Sequence, residues 1–191
     1  RTKQVEISRE TLKPEVVIRA APRRAQQAFV TASFKAPASS PVLAGQISLF
    51  RDGAYVGRGR MPDLAPGKEH ALGFGSDPNV KVTFATADEK RGQGGILVST
   101  SSNRRDFTIT LENRHDRPIR YHVRDRLPVS LNDDLKVTVT QSPEPAQKNV
   151  DDRRGIDAWE GELAAGKTLT IKTGIALSWS GEKVLSQRAL P

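Results

Sequence analysis

The sequence predicts an all-β protein of antiparallel β-sandwich architecture, arranged as two sandwich-like modules. Three observations lead there. Short runs alternate apolar and polar residues with the period of a half-buried strand. Aromatic residues make up only 5% and Met occurs once, while Val, Ile and Thr recur with Gly 15 and Pro 12, a composition that favours sheet over helix. Prolines fall between the alternating runs at Pro22, Pro37, Pro41, Pro62, Pro118, Pro128, Pro143 and Pro145, where a missing N–H costs a strand ladder nothing.

The first half holds candidate strands at 15–20, 28–34, 45–50, 55–58, 70–74 and 80–86. Between Ile47-Ser48-Leu49-Phe50 and Ala54-Tyr55-Val56 stands Asp52-Gly53, a pair that readily supplies the positive φ angles of a two-residue type I′ hairpin. In the second half the alternation is cleaner, at 106–112, 119–124, 135–140 and 169–172. Each places apolar side chains on one face and polar ones on the other, as in a sheet with one wet side. Flexible, polar residues at 88–103 suggest a boundary, so the expected modules are 1–95 and an immunoglobulin-like 96–191. Leu64-Ala65-Pro66-Gly67-Lys68 echoes Leu163-Ala164-Ala165-Gly166-Lys167, each a small turn leading into an alternating strand.

Several chemistries are excluded or disfavoured. The chain has no cysteine, which removes disulfides, thiolate catalysis and Cys-type metal centres. No apolar run reaches the ~20 residues of a membrane-spanning helix. The chain opens on Arg-Thr-Lys-Gln, neither a start methionine nor a signal peptide, so it is read as a fragment of a longer protein. The histidines His70, His115 and His122 lie on different expected elements without ligand spacing, and neither Asp133-Asp134 nor Asp151-Asp152 has a calcium-loop pattern. No catalytic residue, metal or cofactor is expected, and the chain is read as a non-enzyme.

Residues 161–168, Gly-Glu-Leu-Ala-Ala-Gly-Lys-Thr, match a phosphate-binding loop letter for letter. Such a loop works only where it opens a helix whose N–H groups converge on the phosphates. Here Leu169-Thr170-Ile171-Lys172-Thr173-Gly174 follows, β-branched and broken by glycine, so a hairpin turn between two strands (159–163 and 169–177) is expected and no nucleotide.

The net charge of +8 leaves one candidate surface. Strand alternation puts Arg120, His122, Arg124 and Arg126 on one face, with Arg114 and Arg117 in the preceding turn. Such a row is first of all an ordinary solvated face; as a binding surface it would attract nucleic acid, an anionic lipid surface or an acidic polysaccharide, the last favoured over nucleic acid because no RNP-like aromatic pattern accompanies it. Thr108, Thr110, Lys136 and Thr138 are expected to extend the same surface, and Asp106, Glu112, Asp116 and Asp125 to dilute its charge. Binding is expected to strengthen as His122 gains charge in mild acid.

Several stretches taken together resemble the C-terminal domain of the mucoidy inhibitor A family, a bacterial group. They are residues 47–57, 64–67, 126–130, 151–155 and 159–163, reading ISLFRDGAYVG, LAPG, RLPVS, DDRRG and WEGEL. The family more often has Ala-Pro-Gly where this chain has Ala164-Ala165-Gly166. The resemblance implies a preceding N-terminal domain and coiled coil, a cell-envelope or periplasmic setting, and an indirect link to exopolysaccharide phenotype. It brings no catalytic or binding residues. It suggests an interaction or scaffolding role, with a protein partner or, through the basic row, an acidic polymer.

Overall fold

The computed structural model describes residues 6, 9–38, 41–87, 90–94 and 100–180. The strands are β1 (Glu15–Ala21), β2 (Ala25–Lys35), β3 (Gly45–Arg51), β4 (Ala54–Met61), β5 (Glu69–Thr86), β6 (Lys90–Gly94), β7 (Thr100–Asn113), β8 (Ile119–Arg126), β9 (Lys136–Ser142), β10 (Ile156–Leu163) and β11 (Thr168–Ser180). One 3-10 turn, Val150–Asp152, is the only helical element among the described residues. The protein is all-β, with a nine-stranded sheet in the order β10-β8-β1-β2-β5-β7-β11-β9, β6 added on β7, and a separate two-stranded sheet β3-β4.

The chain divides into two compact units, Arg1–Arg19 with Ala28–Asp77 and Ala20–Gln27 with Pro78–Pro191. β1, β2 and β5 contribute residues to both. Candidate strands 70–74 and 80–86 prove to be one continuous strand, β5, which passes through Pro78. Lys90–Gly94, read from composition as flexible, pairs antiparallel with β7.

In the first unit the buried apolar residues are aliphatic, among them Ile18, Ala28, Val30, Ala32, Ala36 and Leu64. The β3-β4 hairpin turns as its sequence demands: Asp52 has φ 51 and Gly53 φ 79, both left-handed as type I′ requires. A register shift between Leu49 and Phe50 bulges β4 just beyond the turn. A Cβ at Gly53 would meet nothing within 4 Å, so only backbone strain opposes substitution there. Gly53→Val is expected to lose about 1–3 kcal/mol and Gly53→Asn clearly less, because Asn tolerates this region; equal melting temperatures would contradict the turn type.

In the second unit β7 and β11 form the longest ladder, from Thr168 opposite Glu112 to Ser180 opposite Thr100. Ile109, Leu111, Ile171, Ile175 and Leu177 are buried on its inner face, as their spacing of two dictates. Leu127, Ile175 and Leu177 pack with Phe107, Leu135, Val137, Val139 and Trp179.

The echo in the sequence is structural. Lys68 N donates to Ala65 O at 3.1 Å and Lys167 N to Ala164 O at 3.2 Å. Each lysine carbonyl then accepts from the residue at the end of a neighbouring strand, Ala36 N at 2.8 Å and Asn113 N at 2.9 Å. One turn type thus closes one strand pair in each unit. Neither copy is a hairpin: β4, before the first turn, pairs with β3 and not with β5, and the hairpin expected at the second is not formed. β10 pairs with β8, whereas β11 pairs with β7 and β9, so the 164–167 turn carries the chain between strands that are not neighbours.

Candidate functional site

β8 carries the basic row, and its alternation is regular. Ile119, Val123 and Asp125 are buried and Tyr121 half-buried, while Arg120 and Arg126 are exposed and His122 and Arg124 lie between. Burial raises the Tyr121 phenol above its ordinary pKa, since the phenolate would lose solvation there. Arg120, His122, Arg124 and Arg126 therefore share one face, as the sequence predicts.

Two expectations about that face fail. Its neighbours in the sheet are β10 and β1, so Thr108 and Thr110 on β7 and Lys136 and Thr138 on β9 do not extend it. The dilution of charge also comes from a different source. In the β8-β10 register Glu162 stands opposite Arg120 and Glu160 opposite His122, and Arg124 Nη1 lies 3.2 Å from Asp151 Oδ2. Asp125, by contrast, points inward and leaves the face altogether.

His122 is held from both sides. Its Nδ1 lies 3.4 Å from Glu160 Oε1, and its Nε2 accepts from Arg124 Nε–H at 2.9 Å. A neutral ring with its proton on Nδ1 satisfies both contacts. A second proton on Nε2 would face the guanidinium N–H, so gaining charge requires Arg124 to move away. The simple expectation of stronger polyanion binding in acid meets this obstacle.

Beside the row lies the loop from Pro143 to Gly155. Asn149, Asp151 and Asp152 have φ 55, 56 and 57, left-handed values for non-glycine residues, which cost about 1 kcal/mol or more each. Hydrogen bonds hold the loop there. Asn149 Oδ1 accepts from Gly155 N at 2.9 Å, Asn149 N donates to the buried Asp157 carboxylate at 3.2 Å, and Gln141 Nε2 donates to Asp157 at 3.0 Å. Val150 is buried beneath, and Asp151, Asp152, Arg153 and Arg154 are exposed. Sequence reasoning asked of Asp151-Asp152 only whether a calcium loop was present, and both carboxylates are indeed solvated. The signal it passed over is the run Asn149-Val150-Asp151-Asp152, rich in the residue types that tolerate αL.

Under β8 sits a half-buried ion pair, its carboxylate fully enclosed and its guanidinium about a third exposed. Arg23 Nε and Nη2 donate to the two Asp125 carboxylate oxygens at 2.9 and 3.0 Å, and the same guanidinium lies over Phe84 at 5.0 Å and Phe107 at 4.5 Å. The two rings stack 5.6 Å apart. This bidentate, aromatic-backed geometry is one that Arg and not Lys can make.

The Gly-Lys-Thr segment has no phosphate-cradle geometry, because strand β11 begins at Thr168 where a helix would be needed. His70 packs edge-on to Phe34 at 6.0 Å, and His115 lies in the turn after β7. Among the described residues no group of three His, Asp or Glu is placed to hold a metal ion, and no helix is long and apolar enough to cross a membrane.

Protein F37C4.5 of Caenorhabditis elegans is 26% identical to this chain over 134 residues, which is 70% of the chain and 24% of the worm protein. The chain thus spans about a quarter of that relative's length. No solved structure matches. The family profile described as "Domain of unknown function (DUF4139)" matches residues 2–181, which include all the strands set out above, and the chain belongs to that family.

Proposed function

We propose that this domain is a non-catalytic interaction module whose contact surface comprises the β8-β10 face and the loop from Asn149 to Gly155. The strained loop carries the reading. Three left-handed Asn and Asp residues are held by a closed set of hydrogen bonds and present Asp152, Arg153 and Arg154 to solvent. Backbone strain kept in an ordered loop is a mark of recognition sites. Charges of both signs alternate over the adjoining strands, with Arg120 opposite Glu162 and His122 opposite Glu160. That pattern suits a protein surface bearing both signs better than a uniformly acidic polymer, because like charges would meet in the second case.

The sandwich-like architecture belongs to the same proposal. In the second unit it is supported by bonds from β10 to segments that are not its sheet neighbours: Trp159 Nε1 donates to Pro143 O at 2.8 Å, and Asn113 Nδ2 donates to Leu163 O at 3.0 Å. The placement in an envelope-associated bacterial protein of the mucoidy inhibitor type rests on the sequence resemblance alone. The worm relative makes the interaction role the more general part of the proposal.

Cross-linking of the full-length protein in its native cells, followed by mass spectrometry, tests the reading. Partner cross-links are expected to map to the 149–155 loop and β8, and to disappear in Arg153→Glu/Arg154→Glu with melting temperature unchanged, since exposed substitutions usually stay within about 0.5 kcal/mol. Partner cross-links that persist undiminished in the variant would refute it.

A further inference from the structure

The β3-β4 ribbon lies in the unit that does not hold the basic row, and its outward face differs from β8 in one respect. Strand alternation and register place Gln46, Ser48 and Phe50 of β3 beside Arg60, Arg58 and Tyr55 of β4, and all six are exposed. Ile47 and Leu49 take the opposite face, over Gly59. Phe50 and Tyr55 are 58% and 54% exposed and pack edge to face at 5.5 Å. No carboxylate belongs to this face: Asp52 is in the turn, and Asp63, beyond the base of the ribbon, accepts from Ala44 N at 2.8 Å. Neither Arg58 nor Arg60 forms an ion pair with a described residue. Two residues apart on one strand, they stand about 7 Å from each other.

We propose that this face binds an acidic polysaccharide, a polymer carrying carboxylates and many hydroxyls. The two guanidinium forks match carboxylates in bidentate geometry. Gln46 and Ser48, which face Arg60 and Arg58 across the ribbon, are neutral donors and acceptors suited to sugar hydroxyls. The exposed rings of Phe50 and Tyr55 continue the row, amphipathic surface against which the C–H face of a sugar ring can lie. Gln46 and Ser48 could also donate to phosphate oxygens, so a nucleic acid is an outcome that the test separates. The proposal is independent of the loop from Asn149 to Gly155.

The test measures binding of polygalacturonate at two salt concentrations, beside neutral dextran, poly(dT) and phosphatidylserine vesicles. Wild type is expected to bind polygalacturonate in preference to the other three. Arg58→Gln/Arg60→Gln should weaken it by about tenfold or more and lower the salt slope by about two. The charge-matched Arg24→Gln/Arg117→Gln, at two exposed positions outside both proposed surfaces, should stay close to wild type. Phe50→Ala/Tyr55→Ala should lose several-fold, and Phe50→Tyr, which keeps the ring and guards against a folding defect, should retain binding. Equal losses in the two arginine pairs, tighter binding of poly(dT) or vesicles than of polygalacturonate, or no binding of polygalacturonate at all would each overturn the proposal.

Discussion

Arg23→Ala is expected to destabilise the protein by about 2–3 kcal/mol, less than the cost of breaking a fully buried ion pair, because only the carboxylate is fully buried and water can reach the place of the guanidinium. The Asp125 side chain is 0% exposed and that of Arg23 32%. Removing the guanidinium leaves the enclosed carboxylate with the Arg126 N–H, at 2.9 Å, as a remaining donor. The two phenyl rings lose their cation at the same time, which adds a contribution of about 0.5–1 kcal/mol or more. For a chain of this size the melting temperature should fall by about 10 °C. Asp125→Asn in the Arg23→Ala background should recover part of the loss, because an amide is far cheaper to bury than a charge. Arg23→Lys should behave more like alanine than like wild type, since an ammonium cannot bond both oxygens while lying flat on two rings. An Arg23→Ala protein that melts within 2 °C of wild type, a shift of about 1 kcal/mol or less, would show that the pair is incidental.

Arg23 was legible in the sequence only as part of a turn, but Asp125 was more legible than the reading allowed. Ile119, Tyr121 and Val123 assign the odd positions of β8 to the core, so the same alternation that grouped Arg120, His122, Arg124 and Arg126 put Asp125 on the buried side. A carboxylate there demands a partner, and reading it as surface dilution ignored its parity. Strand positions came through well for a related reason: alternation, Asp52-Gly53 and the prolines between strands are local signals, and β3, β4, β8 and β11 obey them. What local signals do not encode is which strands pair. Nothing in residues 119–126 says that β8 lies beside β10 and β1 instead of β7, and that one fact decides that Glu160 and Glu162, not Thr108 and Thr110, flank the basic row. The two units share β1, β2 and β5, and a strand that runs through both leaves no shift in composition to mark the passage. The strain at Asn149, Asp151 and Asp152 was hidden likewise, because αL-tolerant residues are common in unstrained loops and only the closing bonds to Gly155 and Asp157 fix the conformation.

Gly155→Ala should be the most damaging single methyl in the loop. Gly155 is buried at φ 78, and a Cβ there would stand 2.6 Å from Leu127 O and 2.9 Å from Val129 Cγ1. Val129 can turn, but the carbonyl is fixed, because the neighbouring Leu127 N donates to Gly155 O at 2.7 Å and Leu127 itself is packed against Ile175 and Leu177. Left-handed strain of about 1–3 kcal/mol and overpacking of a similar 1–3 kcal/mol therefore act together. Gly53→Ala is the matched control: its φ is 79, yet the added methyl meets open space, so it should show the strain alone. The difference between the two variants in urea denaturation isolates the close approach of Gly155 to Leu127. Hydrogen exchange should rise at Gly155 and Leu127 in the first variant and stay local to the turn in the second, and the contact between Arg124 and Asp151 should loosen as the loop shifts, weakening any partner that reads the loop. Equal stabilities for Gly155→Ala and Gly53→Ala would mean that the loop has room to retreat and that its strained conformation is not imposed by the strand end beneath it.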